Sequence, residues 1–61
     1  MPEVHIYLAA GRTPEQKKKL MVELTEAVVR TLNAPKDSVT VQIIESPRDS
    51  KAKGGIPFNE R

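Results

Sequence analysis

The residue types that do most enzyme chemistry are scarce in this chain. There is no cysteine, one histidine (His5), no serine–histidine–aspartate arrangement and no glycine loop of the kind that cradles phosphate. Gly54-Gly55 alone marks a turn and nothing more. What stands out is Pro2, directly after the initiator methionine. Proline is a small second residue, so Met1 is expected to be removed, leaving a free secondary amine. An α-amino group titrates at about 8, and an uncharged amine near neutral pH can act as a general base. Apolar surroundings, or a nearby cation such as Arg12, favour the uncharged form further. Glu3 works the other way, because an acidic residue after proline slows Met removal, and a retained Met1 makes the Pro2 nitrogen a non-basic amide. Taken alone, a proline here is more often just the edge of a strand. His5 and Tyr7 are read as packed or hydrogen-bonded residues of one strand face. Lys17-Lys18-Lys19 lacks interleaved aromatics and is read as a solvated helix face.

The elements that must position these groups follow from the pattern. Val4, Ile6, Leu8 and Ala10 alternate with Glu3, His5, Tyr7 and Ala9, the period of a half-buried strand over residues 3–10. Gly11 allows a turn, and Thr13-Pro14-Glu15-Gln16 reads as a capping box with proline at the first helical position. The helix is predicted to run to about Leu32, where Asn33 ends it and Pro35 cannot extend it. Leu20, Leu24, Ala27, Val28, Thr31 and Leu32 form its apolar face, with Val22 and Val29 as a second stripe. Residues 39–45 alternate again and predict a second strand, so the two strands are parallel with a right-handed crossover. A Gly54-Gly55 turn leads into a short strand containing Ile56 and Phe58.

Composition says what such a unit needs. The chain has 61 residues, 38% of them hydrophobic, two aromatics (Tyr7 and Phe58) and no cysteine. Chains this short usually need a disulfide, a metal or a partner chain. Disulfides and thiolate zinc are excluded, and one histidine makes a transition-metal site unexpected. Self-association is left. Two parallel strands with open edges and one uncovered face point the same way. No apolar run approaches a membrane span, and no secretion signal is read, so the expectation is a cytoplasmic protein. A net charge of +2 from 10 basic and 8 acidic residues is not a nucleic-acid stripe.

Taken together, Pro2, Gly11-Arg12-Thr13 with Glu15-Gln16-Lys17, the stretch from Leu32 to Val39 and the Gly54-Gly55 turn resemble the 4-oxalocrotonate tautomerase family over the whole chain. The resemblance implies an α+β fold of tautomerase, or macrophage-migration-inhibitory-factor-like, type. This is a single βαβ domain over residues 1–61 with a C-terminal β-hairpin, assembled as a homohexamer, a trimer of dimers. It implies a cofactor-free isomerase that moves a proton between carbon and oxygen on a small carboxylic acid, a 2-hydroxy-dienoic or 2-oxo acid, without nucleic-acid or membrane partners. By resemblance Pro2 is the catalytic base and Arg12 binds a substrate carboxylate, a role its planar fork suits. Ser38 and Thr40 are expected as pocket neighbours from an adjacent subunit.

The chain departs from the family at two places. The family's second arginine, which polarises the substrate carbonyl, is replaced by Thr40. Where the family has an aromatic before the glycine turn, this chain has Lys51, Ala52 and Lys53. Arg48, Lys51 or Lys53 could supply a substitute cation, and Arg48 is counted among the substrate-binding residues. A monoacid such as phenylenolpyruvate or 2-hydroxy-2,4-pentadienoate is expected to suit this pocket better than a dicarboxylate. The departures also leave two alternatives: an oligomeric scaffold without turnover, or a relative that hydrates or dehalogenates unsaturated acids.

Overall fold

The computed structural model describes residues 2–60; Met1, on which the question of a free amine turns, lies outside them. Strand β1 (Glu3–Ala9) is followed by helix α1 (Pro14–Leu32) and strand β2 (Thr40–Ser46). A small hairpin of β3 (Ala52–Lys53) and β4 (Ile56–Pro57) closes the chain. The strands β1 and β2 are parallel, with Glu3 opposite Thr40 and Ala9 opposite Ser46. Between them runs the helix, as a crossover needs.

Local chemistry sets the helix ends. The Thr13 hydroxyl accepts from the Gln16 backbone N–H and the Gln16 side chain accepts from the Thr13 N–H, both at 3.1 Å. Both arms of the capping box are therefore made. At the other end Asn33 takes the left-handed conformation (φ 54°, ψ 41°) that terminates helices.

Val4, Ile6, Leu8, Val41 and Ile43 lie half-buried on the sheet face covered by the helix, which packs mainly on β2. Leu20, Leu24, Ala27 and Val28 meet them as predicted. Leu32 does not: it is 64% exposed, because the last helical turn overruns the short sheet. Val22 is also exposed, whereas Val29 is half-buried. The other sheet face carries Glu3, His5, Tyr7 and Ala9 beside Thr40, Gln42, Ile44 and Ser46; no helix of the described residues packs on it, and Tyr7 is 67% exposed. Among the described residues none is fully buried.

The strand ends shift slightly from expectation. A 3-10 turn at Lys36–Ser38 consumes Val39, whose N–H donates to the Lys36 carbonyl, so β2 starts one residue later. Gly54 (φ 63°) and Gly55 (φ 84°) provide the positive φ pair of a type I′ turn. Phe58 was expected in the last strand but instead opens a 3-10 turn, Phe58–Glu60, after its N–H donates to the Lys51 carbonyl at 2.8 Å. Proline at position 57 leaves that strand without a further donor.

Candidate active site

The residues singled out from the sequence fall at the two ends of the β1–β2 sheet. At the first end is Pro2, half-buried, whose carbonyl accepts from the Thr40 N–H at 3.0 Å. Thr40, expected as a pocket neighbour, lies beside Pro2 of its own chain in the parallel register. Ser38 precedes it in the 3-10 turn, and its hydroxyl donates to the Pro35 carbonyl at 2.7 Å. That proton is spent on the turn that launches β2. On the open face, Glu3 accepts from His5 at 3.1 Å, which gives the lone histidine a local partner.

At the second end the chain leaves β1 through Ala10, Gly11 and Arg12. The Ala10 N–H still donates to the Ser46 carbonyl at 2.9 Å, so the ladder continues one residue past the strand. Gly11 has φ +127°, a conformation L side chains rarely adopt. A Cβ there would also stand 3.3 Å from Nη2 of Arg48. Arg48 opens the 3-10 turn Arg48–Ser50 after β2, and its Nε donates to the Ala10 carbonyl at 2.9 Å. Arg48, expected as a substitute cation, is tied by this bond to the Gly11 end of its own chain.

Arg12 borders a cavity of about 270 Å³ with Leu8, Gln16, Lys17 and Leu20. Lys17, read above as part of a solvated run, is held by Glu45 at 2.9 Å with both side chains about two-thirds covered. A signal for this pair was available: Glu45 follows Val41 and Ile43 on the helix-covered face, where a carboxylate needs a cationic partner. Gln16 and Lys17 are thus lining residues that sequence reasoning missed. A second hollow, of about 330 Å³, lies by the helix C-terminus among Glu26, Val29, Arg30 and Lys36, on the side of the Pro2 end, where Lys36 shares a 3-10 turn with Ser38.

Pro2 and Arg12 do not meet within one chain. At about 3.3 Å per residue, the backbone from Pro2 to Ala10 spans roughly 26 Å, far beyond the reach of an arginine side chain.

The comparisons with known proteins bear on what these groups serve. A family model described as "Tautomerase enzyme" matches residues 2–61. A protein of Bradyrhizobium diazoefficiens named "Probable tautomerase" is 46% identical over 61 residues, covering 100% of this chain and 91% of that one. The chain belongs to the 4-oxalocrotonate tautomerase family. The 2-hydroxymuconate tautomerase of Pseudomonas putida is 42% identical over 60 residues, covering 98% of this chain and 95% of its own. The structure of a heterohexameric 4-oxalocrotonate tautomerase from Chloroflexus aurantiacus J-10-fl superposes with a TM-score of 0.89 at 32% identity, covering 98% of this chain and 97% of that one. This family member is accordingly an isomerase of the tautomerase type, and its βαβ unit with a small C-terminal hairpin is the family's fold. Neither a scaffold without turnover nor a hydratase or dehalogenase is favoured by these relationships. No helix among the described residues is long and apolar enough to cross a membrane.

Proposed function

We propose that this chain is a cofactor-free keto–enol tautomerase of small 2-hydroxy-dienoic or 2-oxo acids, with a site built between copies of the chain. The Pro2 amine of one copy is the general base, and Arg12 of another anchors the substrate carboxylate. The observation that carries this is that Pro2 and Arg12 stand at opposite ends of strand β1, with roughly 26 Å of extended backbone from Pro2 to Ala10. A site that needs both must take them from two chains. The absence of any fully buried described residue supports the same conclusion, because a sheet with one bare face gains most by covering it with another copy. A homohexamer built as a trimer of dimers is the assembly we propose, in keeping with the six-subunit relative from Chloroflexus aurantiacus.

The chemistry then needs one mobile proton. In the neutral state the secondary amine of Pro2 takes the 2-hydroxyl proton of the dienol. The electron pair left on oxygen forms the C=O bond and shifts the double bonds toward carbon. The proline ammonium returns the same proton to that carbon, giving the conjugated keto acid. The guanidinium of Arg12 holds the carboxylate by two parallel hydrogen bonds and so fixes the carbon facing the amine. Thr40 and Ser38 border the base. Neither brings a positive charge, so a substrate with a second carboxylate at that end is disfavoured.

Loss of enol absorbance in the ultraviolet measures the reaction. With the mass of the purified chain showing Met1 removed, Pro2→Ala should lower kcat by about 100-fold, at the lower end of what a positioned base contributes. Equal rates for variant and wild type would show that another group is the base.

A further inference from the structure

We infer that Arg48 supplies the electrophilic guanidinium that the family carries elsewhere and that Thr40 here cannot, and that the substrate is consequently a 2-oxo acid with a single carboxylate and an uncharged tail. This rests on the proposed pairing of Pro2 with Arg12 of another copy. Three features of the Gly11 turn support it.

First, Arg48 is held in place rather than free. One of its five N–H donors is spent on the Ala10 carbonyl, which leaves the rest of the fork available. Second, it lies against Gly11, the residue before Arg12. Its guanidinium lies 3.3–3.9 Å from the point where a Gly11 Cβ would be, and the Arg12 Cα follows Gly11 at about 3.8 Å. A glycine at this point is what lets the guanidinium lie against the backbone. Third, both charges are unspent. Among the described residues neither Arg12 nor Arg48 has a carboxylate within ion-pairing distance, and the adjacent Asp49 accepts from the Ser50 hydroxyl instead. Two unneutralised arginines at one turn can between them take an anion with adjacent oxygens.

A 2-oxo acid has that shape, with its carboxylate and its 2-oxygen on adjacent carbons. An arrangement that delivers Pro2 of one copy to Arg12 of another brings it to the turn that Arg48 lies against. Arg12 takes the carboxylate and Arg48 takes the 2-oxygen. When Pro2 removes a proton from the carbon beside the 2-oxo group, the C–H pair becomes the C=C bond and the carbonyl pair moves onto oxygen. Arg48 donates to that oxygen as its charge grows, and the proline ammonium then protonates it to give the enol. The reverse sequence returns the keto acid.

The two ends of the sheet then divide substrates. Both guanidiniums belong to the Gly11 end. Glu3 and Thr40, which pair beside Pro2, bring an acid and a hydroxyl, and Lys36 is turned into the hollow with Glu26 and Arg30. On the paired strand ends themselves, a second carboxylate on the substrate tail meets Glu3 and no lysine or arginine.

Steady-state kinetics on the processed chain test this with two enols, phenylenolpyruvate and 2-hydroxymuconate, and with cinnamate as an inhibitor that has a carboxylate and a tail but no 2-oxygen. Wild type should turn over phenylenolpyruvate with the higher kcat/KM. Arg48→Met should lower kcat on phenylenolpyruvate by about 100-fold, the cost of one lost oxyanion donor, with KM and cinnamate inhibition little changed. Thr40→Arg in the Arg48→Met background should recover part of kcat. Native mass spectrometry checks assembly; if Arg48→Met fails to assemble, Arg48→Lys decides, because it keeps the charge and a donor for Ala10 but loses the fork, and its kcat should fall by about tenfold. An unchanged kcat in the assembled variant would overturn the role of Arg48. So would cinnamate inhibition weakening in parallel with kcat, which marks a clamp on the turn alone. A preference for 2-hydroxymuconate would overturn the single-carboxylate assignment. Pro2→Ala on the same two enols separates the cases, since undiminished activity there means that the base reading, and not Arg48, has failed.

Discussion

The two ends of the β1–β2 sheet are built from the same strands and yet differ in every property that matters for catalysis. The Pro2 end is held by one backbone bond to Thr40 and a turn closed by Ser38, and its paired side chains are an acid and a hydroxyl. Two arginines, a glycine in a conformation closed to other residues, and the capped start of α1 make up the Gly11 end. One end is suited to hold a neutral amine and the other to hold an anion. A seven-residue strand keeps them apart, so in the proposed assembly a single copy supplies half of two sites rather than the whole of one. Small chains reach function this way when they are too short to wrap a pocket.

The contrast can be tested from its strongest element downward. Replacing Arg12 with Met should raise KM for a monoacid enol by tens of fold up to about 100-fold, the worth of a charged bidentate contact of about 2–3 kcal/mol, while kcat falls less. A fall confined to kcat would assign Arg12 to the oxyanion instead. Gly11→Ala comes next. Its left-handed backbone and the nearby Arg48 should together cost about 2 kcal/mol in denaturant unfolding, and displacement of Arg48 should lower kcat in the same variant. Full stability in Gly11→Ala would mean that the turn relaxes freely and does not seat Arg48. The smallest effect belongs to Thr13→Ala. It removes one arm of the capping box and should cost about 1 kcal/mol of stability, with KM changing far less than in Arg12→Met.

Much of the scaffold was legible because its signals are local. Alternation marked β1, Thr13 with Gln16 marked the start of α1, Asn33 marked its end, and the paired glycines marked the hairpin. Each depends on neighbours within a few residues. The 3-10 turns at Lys36–Ser38 and Arg48–Ser50 were not legible, because they arise where a chain must change direction between packed elements. Leu32 was misplaced because helical periodicity says which face is apolar but not where the sheet beneath it stops. The site divides in the same way. The chemical types at Pro2 and Arg12 could be read from their positions in a familiar pattern. The tie between Arg48 and the Ala10 carbonyl crosses 38 residues and leaves no mark in spacing. Lys17 and Glu45 lie 28 residues apart, but a carboxylate on an apolar face was a visible request for a partner.

Subunit complementation bears most directly on a site shared between copies. Pro2→Ala and Arg12→Met chains, each strongly impaired alone at substrate well below KM, would be co-expressed and assayed there, and mixed oligomers verified by native mass spectrometry. In a random equal mixture roughly a quarter of shared sites draw an intact Pro2 from one copy and an intact Arg12 from another, so about a quarter of wild-type turnover should return. Verified mixed oligomers with no more activity than either parent would place both residues in one copy's site and contradict the shared one.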